Sequence, residues 1–394
     1  MSNVLTLNGG SSSIRFALYD TGDCSTKLLD GKIDRIGASG TTLSVGGVQT
    51  SIAAVDHRSA VEHLLDWLET QASFASISAV GHRIVHGMQH SNPERISATL
   101  LAELKRITPY DPEHLPREIE LIETLGRRHP QLPQVACFDT AFHRSMPRVA
   151  TILPIPRRYE AKGVQRYGFH GLSYTYLVGE LVRLGDVAAT RGRVILAHLG
   201  NGASLAAVRD GKGMDTSMGF TPTSGLVMST RSGDLDPGVV SFLAFTESMD
   251  AAEFQRMVTH ESGLKGVSET SSDVRDLLAR AHEDVRAAEA IALFCYQVKK
   301  WIGSFAAALG GVDSLVFAGG IGENAVHVRA RICEGLEFLG IELDESRNAR
   351  GAGLISRESS RVAVRVIRTD EESVIARSTI QVMGMATTKD ATDD

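Results

Sequence analysis

Two stretches of the chain place polar residues in glycine-bearing turns between apolar runs, a pattern suited to holding phosphate. In Arg193–Gly211 the apolar run from Val194 to Ala197 delivers His198 and Asn201 to such a turn, and a second apolar run leaves it. Glycine lets a ligand approach the backbone and offers N–H groups with no Cβ in the way. The pattern appears again at Val4–Asp20, with Asn8, Gly9 and Gly10 in the turn. Such a repeat, half a chain apart, points to a duplicated domain that holds a nucleotide between its copies. A strand–glycine–strand unit taken alone is an ordinary turn.

Other reactive groups are scattered between these turns. His82, Arg83 and His86 lie on a strand pattern, Ile77–Gly87, where polar groups need partners or a cleft. His114 sits in the rigid loop Pro109–Pro116, and the plain reading of a loop histidine is surface. Asp139 follows the short strand Val135–Phe138, at the end where α/β proteins put metal-binding and catalytic acids. His170 stands between glycines before a helix at Leu172–Leu184. Arg231 has small neighbours in the long polar loop Asp215–Gly238, which leaves its guanidinium accessible to a carboxylate or phosphate. Asp273 reads equally as a helix cap or a site residue. Gly319–Asn324 follows the buried strand Ser314–Ala318 and opens a helix, an arrangement that receives an adenosine or phosphate group. It matches neither the P-loop nor the dinucleotide fingerprint. Arg368–Glu372 brings acids to a helix start, where dipole complementation alone accounts for them.

The elements that carry these residues are legible from periodicity. Thr41–Val45 and Val48–Ile52 flank Gly46-Gly47 as a hairpin, so the first sheet is partly antiparallel. Asp56 caps a helix bearing Val61, Leu64, Leu65 and Leu68, Ser97 caps another, and Pro116 opens a third with Ile119, Ile122 and Leu125 inward. Glu283–Leu309 is a long amphipathic helix for core packing or a subunit interface. Prolines at 147, 154 and 156 mark a domain junction within Met146–Arg158.

Composition narrows the function. The 394 residues suffice for two domains, and 43% hydrophobic with 22% charged residues is the balance of a globular protein. A net charge of −6 leaves no basic footprint for nucleic acid, and no apolar run approaches the ~18 residues of a membrane span. Cys24, Cys137, Cys295 and Cys333 are scattered and read as reduced thiols. With a strand directly after Met1–Val4, the expected location is cytoplasmic, and Ala386–Asp394 is expected to be a frayed tail.

Nine ordered blocks carry a resemblance: NGGSSSIRF at Asn8–Phe16, GHRIVHG at Gly81–Gly87, FDTAFH at Phe138–His143, YGFHG at Tyr167–Gly171, HLGNGAS at His198–Ser204, DTSMGFTP at Asp215–Pro222, TRSGDLDPG at Thr230–Gly238, GGIGEN at Gly319–Asn324 and TDEE at Thr369–Glu372. Over essentially its whole length the chain resembles the acetokinase family, within the acetate and sugar kinase/Hsp70/actin superfamily. The resemblance implies an α/β fold of two duplicated RNase H-like domains, each a mixed sheet flanked by helices, with a cleft between them. It places an acyl and metal side at residues 1–147, rejoined by 372–394, and a nucleotide-binding and dimerisation side at 148–371. It implies a homodimer and reversible, Mg²⁺-dependent phosphoryl exchange between ATP and a short carboxylate, acetate first, giving an acyl phosphate and ADP, with Mn²⁺ able to substitute.

By position, the resemblance makes Arg83 and Arg231 the clamp on the carboxylate and the transferring phosphoryl group, with His170 a hydrogen-bond donor to it. Asp139 and Glu371 would position the metal, and Asn8 would contact metal or phosphate. Val85, Phe169 and Pro222 would wall the methyl pocket, with His114 beside it. Arg15, His198, Leu199, Gly200, Asn201, Gly202, Asp273, Val274, Arg275, Gly320, Ile321, Gly322, Glu323 and Asn324 match the nucleotide contacts. The chain departs from the family pattern at Arg15, where lysine is usual, at Tyr174, where a second histidine is usual, at Pro112–Leu115, where PLHN is usual, and at Thr223–Ser229. Propionate or butyrate kinases would share the catalytic residues. A nucleotide switch of the actin or Hsp70 type would share the hairpins but have no use for two arginines on a carboxylate.

Overall fold

The computed structural model describes residues 2–10, 12–22, 26–37 and 40–385, so Cys24 and the tail from 386 lie outside the described residues. The chain divides into two compact units, residues 1–141 with 370–394, and residues 142–369.

The first unit is built on a sheet of eight strands: β1 (Asn3–Gly9), β2 (Ser13–Asp20), β3 (Lys27–Asp34), β4 (Thr42–Val45), β5 (Val48–Ser51), β6 (Ile77–Ile84), β7 (Glu94–Arg95) and β8 (Gln134–Phe138). Their order is β5-β4-β3-β2-β1-β6-β8-β7. β1 runs antiparallel to β2 and parallel to β6, which runs parallel to β8. Val4, Leu5, Thr6 and Leu7 of β1 are all buried, as befits a strand covered on both faces. The β4–β5 connection is the two-residue turn Gly46-Gly47. Both glycines have positive φ, the geometry that matches the twist of a hairpin and that side chains resist.

Three helices cover this sheet. His57–Glu69 starts at a capping box between Asp56 and Ser59 and buries Val61, Leu64, Leu65 and Leu68. Leu115–Arg128 buries Ile119, Ile122 and Leu125, and with them Glu118. The C-terminal helix Glu371–Val382 returns to pack on β1, β6 and β8. Gly81 permits that approach, because a Cβ there would stand 2.5 Å from Ile375 Cγ2.

The second unit holds the sheet β11-β10-β9-β12-β13, formed by β9 (Arg193–Leu199), β10 (Ala203–Arg209), β11 (Lys212–Thr216), β12 (Ser314–Ala318) and β13 (Ala363–Val366). Here β9 pairs antiparallel with β10 and parallel with β12, which pairs parallel with β13. The sense of every pairing repeats that of β3-β2-β1-β6-β8, so the duplication first read from two turns extends through both central sheets. Asp215 and Thr216 belong to β11, which shortens the long loop expected from Asp215.

The helix Val285–Leu309, capped by Asp284 and closed by Gly310 at φ 72°, buries Ile291, Phe294, Val298, Ile302 and Phe305, while Leu293 and Trp301 are half-buried. The first unit ends at Ala141 and not at 147, because the next residues bind within the second unit. Phe142 packs on Tyr174, His143 Nε2 donates to the Phe169 carbonyl at 2.9 Å, and Ser145 Oγ donates to the Gly213 carbonyl at 3.0 Å.

Candidate active site

In the first unit the polar residues gather at the carboxyl ends of β1, β6 and β8. The β6–β8 register sets Arg83 opposite Cys137, and Asp139 N–H donates to the Ile84 carbonyl, which brings the Asp139 side chain beside Arg83. Arg83 Nη2 donates to Asp139 Oδ2 at 2.8 Å, and Nη1 donates to Glu118 Oε1 at 3.2 Å and to the Gly9 carbonyl at 3.3 Å. Burial would favour a neutral guanidine, but Asp139, Glu118 and Glu371 outweigh it and hold Arg83 firmly protonated. The two histidines of the same segment behave differently. His82 and His86 are buried, and burial pushes both down to about 4, so Arg83 alone of the three carries charge at neutral pH.

Asn8 Nδ2 donates to Glu371 Oε2 at 2.9 Å and to Glu372 Oε1 at 3.5 Å. Glu371 opens the C-terminal helix, and its carboxyl is raised by burial and then by the charge of Asp139, with Arg83, Asn8 and Arg15 opposing. Arg15 is exposed on β2 at the register position facing Asn8. Asn8, Arg83, Asp139 and Glu371 therefore form one electrostatically linked group. Asp139, Glu371 and Glu118 crowd a single buried arginine, and burial raises both glutamates; a divalent cation beside Asp139 and Glu371 would favour the ionised forms. Among the described residues no cluster of three or more His, Cys, Asp or Glu is arranged as a metal cage. Mg²⁺ suits such a set, because it binds through one or two carboxylates while phosphate and water complete its shell.

His114 is buried, contrary to the plain surface reading of a loop histidine: its Nδ1 donates to Asp111 Oδ1 at 2.9 Å, and the same oxygen accepts from its backbone N–H at 3.0 Å. Val85 is buried, and its N–H donates to Glu118 Oε2 at 2.9 Å. Glu113, in the altered loop, is half-buried.

In the second unit the convergence is around the β9–β10 turn. His170 precedes the helix Gly171–Arg183 at φ 60°, a strained position for a residue with a side chain. Its Nδ1 lies 2.8 Å from Ser204 Oγ, which also bonds the hydroxyl of buried Tyr174. The departure at Tyr174 thus joins the support of His170. The His170 ring stacks on His198 with centroids 4.4 Å apart, and His198 Nδ1 lies 2.8 Å from Ser173 Oγ. A Cβ at Gly202 would stand 3.2 Å from His170 Nε2 and 3.5 Å from Arg231 Nη1, so both side chains border this turn. Arg231 Nη1 donates to the Pro222 carbonyl at 3.1 Å, and Phe169 is buried.

The Gly319–Asn324 turn meets the same place. Gly319 has φ 74°, and a Cβ on it would collide with the Leu199 carbonyl at 2.7 Å, while Gly320 N lies 3.9 Å from where a Gly200 Cβ would be. Glu323 turns its carboxylate inward to accept from Gly319 N–H at 3.0 Å and Thr369 N–H at 3.2 Å, which fixes the turn. Gly322 and Glu323 in turn give their carbonyls to the fully buried Arg329. Asp273 caps the helix Val274–Arg280 and pairs with the exposed Arg275. Sequence reading missed Asp111, Glu118, Ser204 and Arg329. Glu118 alone had a visible signal, an acid in the apolar stripe of Ile119, Ile122 and Leu125, where burial demands a cation.

Comparison with known proteins extends these observations. The model of the acetokinase family matches residues 3–377. An acetate kinase of Rhodopseudomonas palustris is 45% identical over 390 residues, covering 96% of this chain and 98% of that one. Among solved structures, acetate kinase of Porphyromonas gingivalis superposes with a TM-score of 0.87 at 37% identity, over 97% of this chain and 100% of that one. A propionate kinase of Francisella tularensis gives a TM-score of 0.90 at 35% identity, with the same coverage. The backbone therefore does not separate the two acceptors.

The crowding at Gly202 generates a prediction. Its φ is outside the left-handed region, so Gly202→Ala should fold, but the added methyl presses on His170 and Arg231. Losing one hydrogen bond to the nucleotide weakens ATP binding by roughly 10-fold. Titration calorimetry reads the affinity and thermal melting the fold; unchanged affinity would separate the turn from nucleotide recognition.

Proposed function

This chain belongs to the acetokinase family, and on that premise we propose that it transfers the γ-phosphoryl group of ATP to acetate, reversibly and by direct in-line displacement, giving acetyl phosphate and ADP. The observation that carries this reading is the pair of arginines built into the two units. Arg83 is braced by Asp139 and Glu118, and Arg231 borders the same turn as His170.

A carboxylate is already a nucleophile at neutral pH, so the reaction needs no general base. Its difficulty is repulsion between two anions, and the remedy is positive charge around the in-line phosphoryl group. Arg83 holds the acceptor carboxylate, Arg231 neutralises the transferring group, and His170 donates from Nε2 to its equatorial oxygens. This role fits a Nδ1 engaged by Ser204. Asp139 and Glu371, with Asn8 through its carboxamide oxygen, would hold Mg²⁺, which when bound neutralises phosphate charge. Val85, Phe169 and Pro222 wall the acyl pocket with His114 beside it. His198–Gly202 and Gly320–Asn324 receive the nucleotide, with Arg15 and Asp273–Arg275 in supporting contact.

Acetate is favoured over propionate because most of the relatives quoted are named for it, including the one at highest identity. Among the described residues no helix is long and apolar enough to cross a membrane, and we place this metabolic activity in the cytoplasm. The homodimer reading is supported by the helix Gly238–Glu247, which buries none of its residues within the chain and leaves Phe242 and Phe245 63% and 92% exposed. An apolar surface of this kind marks an interface, and a second copy of the chain is its partner.

The function is tested by supplying ATP, Mg²⁺ and hydroxylamine with acetate, propionate or butyrate in turn and measuring hydroxamate. Acetate should give the highest kcat/KM, and Arg231→Ala should lose at least ~10²-fold in turnover. No hydroxamate with any of the three acids would end the kinase reading. For the dimer, Phe245→Asp should sediment as a single chain while the unaltered protein sediments as two; an unaltered protein of single-chain mass removes the interface.

A further inference from the structure

Glu118 is an acid almost wholly withdrawn from water on the core-facing side of its helix, and both of its oxygens are engaged at the acyl side. Oε1 accepts from Arg83 at 3.2 Å, and Oε2 accepts from the Val85 N–H at 2.9 Å. The Arg83 side chain is itself only 12% exposed, so water does little to orient it. Its Nη2 is held by Asp139, and its Nη1 is shared between Glu118 and the Gly9 carbonyl. Asp139 alone would fix one corner of the guanidinium plane. The carboxylate on Nη1 fixes a second corner and with it the rotation of the plane.

A second acid on this arginine carries an electrostatic cost, because it lowers the attraction for an incoming carboxylate. The arrangement is favourable only if orientation matters more than field strength. Burial pushes the Glu118 carboxyl up, and Arg83 and the Val85 N–H pull against that rise, so the ionised form depends on both contacts.

We propose that Glu118 is a positioning residue for phosphoryl transfer: by bridging the Arg83 guanidinium and the Val85 backbone it fixes the acceptor carboxylate relative to the wall of its pocket. The inference rests on the roles proposed above for Arg83 and Val85. Val85 follows Ile84, the last residue of β6, so the bridge also closes the exit of the strand on which Arg83 lies. One carboxylate ties the charge that holds the acceptor to the backbone that bounds its methyl group.

Glu118→Gln tests this in the full chain, because glutamine keeps the size but has one accepting end for two donors. A misplacement of about 1 Å costs up to ~10²-fold, so kcat should fall by roughly 10-fold or more. The KM for acetate should rise, the KM for ATP should stay within about twofold, and in an Arg83→Ala background Glu118→Gln should add no further loss. A merely structural role predicts a lower melting temperature with both KM values moved and losses that multiply in the double variant; that pattern, or a Glu118→Gln enzyme with its acetate kinetics intact, overturns the proposal. If Glu118→Gln does not fold, Glu118→Asp, which keeps the charge and loses reach, carries the same two readouts. Full activity in Arg83→Ala would instead remove the clamp itself, so failure of the underlying reading and failure of this inference give different results.

Discussion

The arrangement depends on one buried cation. Arg83 sits where the carboxyl ends of β6 and β8 leave a central sheet, and no comparable charge is stable there without partners. Asp139, Glu118 and the Gly9 carbonyl each come from a different segment, and each is placed by the register of β1, β6 and β8 or by the helix over them. The apolar core of the first unit is thus the frame that holds several donors and acceptors to within a hydrogen bond. Removing any one partner would leave the others buried and incompletely paired, so the site is stiff for the same reason that it is costly.

The second unit reaches a similar end through backbone conformation. Gly319 with positive φ lets one turn close on the end of β9, and the bare Cα of Gly202 leaves room for His170 and Arg231 at the same turn. The strain of His170 at φ 60° is offset by the Ser204 bond, the stacked His198 ring and the helix that begins immediately after it. Charge in this unit borders open backbone, whereas in the first unit it is enclosed by side chains.

Much of this was legible in the sequence, for identifiable reasons. The hairpins at Asn8 and Gly200 declared themselves because strand periodicity flanked glycine, and the Gly46-Gly47 turn because few other residues adopt two consecutive positive φ values. Asp139 was legible because the end of a strand is a small target. The boundary at Ala141 was not, because the prolines after Met146 look like a linker while Phe142 and His143 pack forward into the second unit. The surface reading of His114 failed for a related reason: its burial depends on Asp111, three residues back, and on a loop closure that sequence spacing does not encode. Ser204 joins His170 to Tyr174, and Arg329 holds the Gly322 and Glu323 carbonyls, pairings that no local pattern marks. Glu118 lay between these cases, visible as an acid in an apolar stripe but without its partner in view.

In the proposed mechanism the arginines and His170 act through charge on the transferring phosphoryl group and its acceptor, and contribute little to holding ADP. Losing an interaction made only in the transition state weakens the binding of a transition-state mimic by the same factor as it lowers the rate. The direct measurement is the affinity of Mg²⁺–ADP–aluminium fluoride with acetate across the unaltered protein and the Arg83→Ala, Arg231→Ala and His170→Ala variants. The account predicts that log Kd for the mimic follows log(KM/kcat) with a slope of about one while ADP affinity stays flat. A mimic bound equally by all four proteins, despite their different rates, would contradict it.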